Sequence, residues 1–76
     1  MNHLEKVKEI IAEHFNVEKD TLSPETDLVV ELHADSLDLV ELIMAFEDAF
    51  DLTIPDEVAM SVKKISDIVD YLEKSE

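Results

Sequence analysis

Apolar residues in this chain recur at intervals of three and four, and no segment alternates apolar with polar residues convincingly over the length of a strand. Helices packed against one another are the architecture such a pattern permits. The first helix is expected from about His3 to Phe15. Leu4, Val7, Ile10, Ile11 and Phe15 form one face, Glu5, Lys6, Glu9 and Glu13 lie away from it, and Asn2 with Glu5 resembles a capping box. The second is expected over about Ser36 to Phe50. A short third follows Pro55, where Asp56 and Glu57 suit the positive end of the helix dipole. The fourth covers about Ile65 to Lys74, with Ile65, Ile68, Val69 and Leu72 on one face. The predicted fold is all-α: a small four-helix bundle of three main helices and a short third, in a single domain spanning residues 1–76.

Between the first two helices, residues 16–34 carry turn signals, Ser23-Pro24 and Thr26-Asp27, with apolar residues scattered among acids. Leu28-Val29-Val30 has the composition of a short strand but no partner segment. A connection this long in so small a domain is expected to be a packed, functional loop, with Leu28 and Leu32 pinned to the core.

Charge narrows the function. Twenty acids oppose six bases in 76 residues, a formal net charge of −14. Phosphates would be repelled, which excludes nucleic acid and stable association with anionic membranes. From Asp20 through Val62 there are twelve acids and no base; a charge run is usually just a solvated face that confers solubility, but one confined to the middle of so short a chain favours an electronegative docking surface for basic partners. No apolar run is long enough for a signal peptide or a membrane span, so a cytoplasmic protein is the expected default; it is expected to be a monomer. Cysteine is absent, which removes disulfides, thiolate nucleophiles and zinc–thiolate sites. Glycine is absent too, against an EF-hand. His3, His14 and His33 show no ligand spacing, and no Ser/His/Asp arrangement can be argued, so neither a metal nor a catalytic site is expected.

The second helix carries two apolar stripes. Leu39, Leu42, Ile43, Phe46, Ala49 and Phe50 share a face broad enough for the core. Leu37, Val40 and Met44 lie on the opposite side, among Glu41, Glu47, Asp48 and Asp51. An apolar stripe rimmed by one sign of charge suits transient docking, the carboxylates steering lysines and arginines of a partner. The plain alternative is that this stripe is buried under the long loop, or is unremarkable surface.

Asp35 is placed to cap that helix, and Ser36 falls at its first position, where a phosphoester would meet unpaired N–H groups. A serine there is, on its own, most often a cap. The wider segment Leu32-His33-Ala34-Asp35-Ser36-Leu37-Asp38-Leu39-Val40-Glu41-Leu42, with Phe46-Glu47-Asp48-Ala49-Phe50 and Ile54-Pro55-Asp56-Glu57 beyond it, resembles bacterial acyl carrier proteins. The resemblance covers essentially the whole chain. It implies a non-enzyme in which a phosphopantetheinyl transferase (a holo-carrier synthase) moves 4′-phosphopantetheine from coenzyme A onto the Ser36 hydroxyl. Acyl groups would then ride as thioesters on the arm, presented to fatty acid synthesis enzymes and acyltransferases with basic docking patches. Asp35, Leu37, Asp38, Val40, Glu41, Met44, Glu47 and Asp48 would form the partner face. Phe46, Ile54, Ala59 and Val62 are candidates to line an acyl-chain pocket; otherwise they are plain core. One departure stands out: the family usually has glycine where this chain has His33, which puts the backbone of that loop in question. A D-alanyl, polyketide or peptidyl carrier is the alternative within the class. An acidic module mimicking nucleic acid is the alternative outside it.

Overall fold

A computed structural model describes residues 3–75. It contains α1 (His3–Phe15), a 3₁₀ turn (Lys19–Thr21), α2 (Ser36–Phe50), α3 (Asp56–Ser61) and α4 (Ile65–Lys74). α1, α2 and α4 fall where the apolar period placed them, and α3 where Pro55 and the acids after it did; the Asn2 half of the expected capping box lies outside the described residues. None of these helices is long and apolar enough to cross a membrane.

α1 packs against both α2 and α4, and α3 packs on α2. Their apolar faces meet in one core: Val7 and Ile11 of α1, Leu42, Ile43 and Phe46 of α2, and Ile65, Ile68, Val69 and Leu72 of α4. Ile54 and Val62, on either side of α3, close it. Two residues depart from the expected pattern. Ala49, assigned to the core face of α2, is exposed; it sits at the margin of that face, and a methyl group gains little from burial. His3 is buried, with its ring stacked on Phe50 at 5.5 Å between centroids.

The long connection is indeed packed. Leu22, Leu28 and Ala34 enter the core, and Leu32 packs against it half-buried. Leu28-Val29-Val30 is a turn, not a strand. The Asp27 carboxylate accepts the Val29 and Val30 N–H groups at 2.9 and 2.8 Å, and the Glu31 carboxylate accepts the Asp27 N–H at 2.9 Å. Extended pairing there is reduced to an isolated bridge between Asp27 and Lys64.

This loop also completes α4. The first N–H groups of a helix have no partner inside it. Here Ile65 N–H donates to Thr26 O at 3.1 Å and Ser66 N–H to Pro24 O at 2.9 Å. From the other side, Asp67 accepts the N–H groups of Lys63 and Lys64, each at 3.0 Å. These two bonds, Lys64 first, hold the Asp67 carboxyl below the ordinary aspartate range.

Without glycine, the left-handed positions fall to other residues. Asn16 and Asp51 adopt φ 57° and 54° just past the ends of α1 and α2. The following residues donate back into each helix, Val17 N–H to Ala12 O and Leu52 N–H to Glu47 O. His33 takes φ 59°. The loop therefore keeps the left-handed turn that glycine usually supplies, at a cost of about 1–2 kcal/mol for a residue with a Cβ.

Candidate functional site

Ser36 is the first residue of α2, and it is exposed. It is not the cap. Asp35 holds that role: its carboxylate accepts the Asp38 N–H at 2.9 Å, while the Asp38 carboxylate accepts the Asp35 N–H at 3.1 Å. The reciprocal pair satisfies the helix start without using the serine, so its hydroxyl is presented outward at the positive end of the α2 dipole.

Asp38 is held from a second direction. His14 Nε2, on α1, lies 3.1 Å from the other Asp38 oxygen and 3.8 Å from Glu41. The hydrogen bond from His14, then that from the Asp35 backbone, keeps the Asp38 carboxyl below its usual range. Asp38 therefore stays anionic at neutral pH, two residues from Ser36.

Beside Ser36 runs a shallow groove between α2 and α3, lined by Leu39, Val40, Ala59 and Met60. Of the residues expected around an acyl chain, Ala59 lines this groove. Phe46, Ile54 and Val62 lie behind it in the closed core, 1%, 3% and 3% exposed. Met60, at 83% exposed, escaped notice in the sequence because a six-residue helix is too short to show a periodic face.

The second stripe of α2 is open. Leu37, Val40 and Met44 are 65%, 53% and 62% exposed. Asp35, Glu41 and Asp48 are exposed around them. Glu47 is half-buried and has a structural duty, accepting the Ile54 N–H at 2.7 Å and so tying α2 to the segment before α3. The long loop does not cover the stripe; its own Val29 and Val30 are exposed as well.

The local arrangement fits a phosphodiester-linked arm: an outward hydroxyl freed from capping, a helix N-terminus behind it, and an apolar groove alongside. Residues 5–72 match the family described as the phosphopantetheine attachment site. An acyl carrier protein of Syntrophobacter fumaroxidans is 51% identical over 70 residues, covering 92% of this chain and 86% of that protein. The solved acyl carrier protein of Enterococcus faecalis superposes with a TM-score of 0.83 at 32% identity, over 97% of this chain and 94% of that one. A Mycobacterium tuberculosis structure, described provisionally as an acyl carrier protein, gives 0.90 at 26% identity over 97% and 99%. The chain belongs to the acyl carrier protein family, whose members bear acyl chains on covalently attached 4′-phosphopantetheine.

Proposed function

We propose that Ser36 carries the arm and that the whole chain acts as one non-catalytic carrier unit for fatty acid synthesis in the cytoplasm. The observation that carries this reading is the division of labour at the start of α2. Asp35 and Asp38 cap the helix, which leaves the one hydroxyl at that position for a transferase to use. The arm supplies the thiol on which acyl thioesters form, chemistry that a chain without cysteine lacks. The protein supplies tethering, and with it a high effective concentration of acyl chain near each bound enzyme.

Leu37, Val40 and Met44 are the contact stripe for the phosphopantetheinyl transferase and for fatty acid synthesis enzymes. Asp35, Asp38, Glu41, Glu47 and Asp48 steer the basic patches of these partners into register. An acyl chain enters along the groove between Val40 and Ala59, and long chains displace Phe46, Ile54 and Val62 to reach the core. The test is loading of the arm-bearing chain. With malonyl-coenzyme A and a malonyl transferase of fatty acid synthesis, intact mass should show one malonyl group. A chain that refuses malonate but accepts D-alanine from its carrier ligase would overturn the fatty acid assignment.

A further inference from the structure

The docking face of α2 meets a nitrogen ligand from another helix. His14, Asp38 and Glu41 each offer a ligand atom, and the three atoms lie within 4.8 Å of one another. No spacing along the chain announces the trio, because α1 contributes the imidazole and α2 both carboxylates. We propose that these three side chains form a binding site for one zinc-class divalent cation, bridging α1 and α2.

The donor set selects the ion. Magnesium and calcium prefer all-oxygen shells, whereas an imidazole with two carboxylates suits zinc or cobalt. A neutral imidazole and two carboxylates also balance a charge of two. Ligand atoms about 2.1 Å from a tetrahedral ion stand roughly 3.4 Å apart. The two distances from His14 Nε2, 3.1 Å to Asp38 and 3.8 Å to Glu41, straddle that value. The remaining adjustment falls to Glu41, whose side chain is 55% exposed and able to turn.

The ligands are also held from behind. The second Asp38 oxygen accepts the Asp35 N–H, the kind of outer contact that orients a metal-binding carboxylate. The His14 ring packs edge-on against Phe15 at 4.8 Å between centroids. The other described histidines are placed differently: His3 is stacked on Phe50, and His33 sits exposed in the loop before α2. Three protein ligands leave a fourth position for water, as in open zinc sites. Occupancy would fasten α1 to the start of α2 and withdraw Asp38 and Glu41 from the charge shown to partners.

The site does not depend on Ser36 carrying the arm, and the experiment uses the untagged chain without the arm, because the arm's thiol would itself take zinc. Zinc is titrated by calorimetry and followed by NMR of the histidine ring resonances. One equivalent should saturate, shifting the His14 ring signals while those of His3 and His33 stay in place, and magnesium at the same concentration should leave all three unmoved. His14→Gln, which keeps a hydrogen-bond donor toward Asp38, should weaken zinc binding about tenfold or more. Glu41→Gln, a surface change with little bearing on folding, should weaken it as well. Zinc affinity unchanged in both variants, movement of His3 or His33 signals in place of His14, or binding that never saturates would overturn the proposal.

Discussion

The two sides of α2 are made of the same kinds of residue and meet opposite fates. Leu42 and Phe46 are 1% exposed, while Leu37 and Met44, on the same helix, are 65% and 62% exposed. Apolar character alone therefore does not decide burial; the neighbours do. The inner side faces α1 and packs into the core. Among the described residues, the outer side is open, meeting α3 only where Val40 lines the groove with Ala59 and Met60, and is bordered by Glu41 and Asp48. One side holds the fold and the other, proposed above as the partner face, is exposed to solvent, so the two can be altered separately.

The largest expected effect is on the inner side. Phe46→Ala should cost about 3–5 kcal/mol in chemical denaturation, a large part of the stability available to a domain of this size. A cost under about 1 kcal/mol would mean that the inner side is not sealed, and the contrast would collapse.

An intermediate effect separates carboxylates that build the structure from those that face solvent. Asp67 accepts two backbone N–H groups at the start of α4, so Asp67→Ala should cost about 0.5–2 kcal/mol. Its folded pKa is lowered, chiefly by the Lys64 N–H and then the Lys63 N–H. The stabilisation is therefore complete above the unfolded aspartate value of about 3.9 and is lost as pH falls through the lower folded value. Stability measured against pH should lose part of its acid limb in Asp67→Asn; an unchanged limb would remove Asp67 from the structural group.

The smallest effect on stability belongs to the outer side. Met44→Ala should shift stability by no more than about 0.5 kcal/mol while lowering the transferase kcat/KM with the carrier as substrate. A loss of stability approaching that of Phe46→Ala would mean the stripe is buried after all. No change in either quantity would move recognition elsewhere, to Val29 and Val30 or to Met60.

How much of this was legible in the sequence follows from where periodicity exists. α1, α2 and α4 could be read because Val7 and Ile11, Leu42 and Phe46, and Ile68 and Leu72 repeat at helical spacing. The α2 cap was legible because Asp35 and Asp38 flank the helix start at capping distance. The loop was legible only as packed. Its principal ties, Leu28 N–H to Lys63 O at 2.7 Å and Ser66 N–H to Pro24 O at 2.9 Å, are backbone bonds between distant segments, and side-chain patterns carry no trace of them. The 3₁₀ turn at Lys19–Thr21 is too short for a period. His33 was visible as an oddity, but its left-handed backbone accompanies a bond from Ala34 N–H to Leu28 O at 3.0 Å, which side-chain patterns do not encode. His14 beside Asp38 required the pairing of α1 with α2, which no local pattern encodes.

The central claim, that the Ser36 hydroxyl is freed from capping in order to carry the arm, is tested most directly by intact mass. The chain is incubated with coenzyme A and a phosphopantetheinyl transferase. The account predicts a single phosphopantetheine increment on the parent chain and none on Ser36→Ala, whose helix start stays intact because Asp35 and Asp38 do the capping. An increment that persists in Ser36→Ala, or that peptide mapping places on Ser23, Ser61, Ser66 or Ser75, would contradict it.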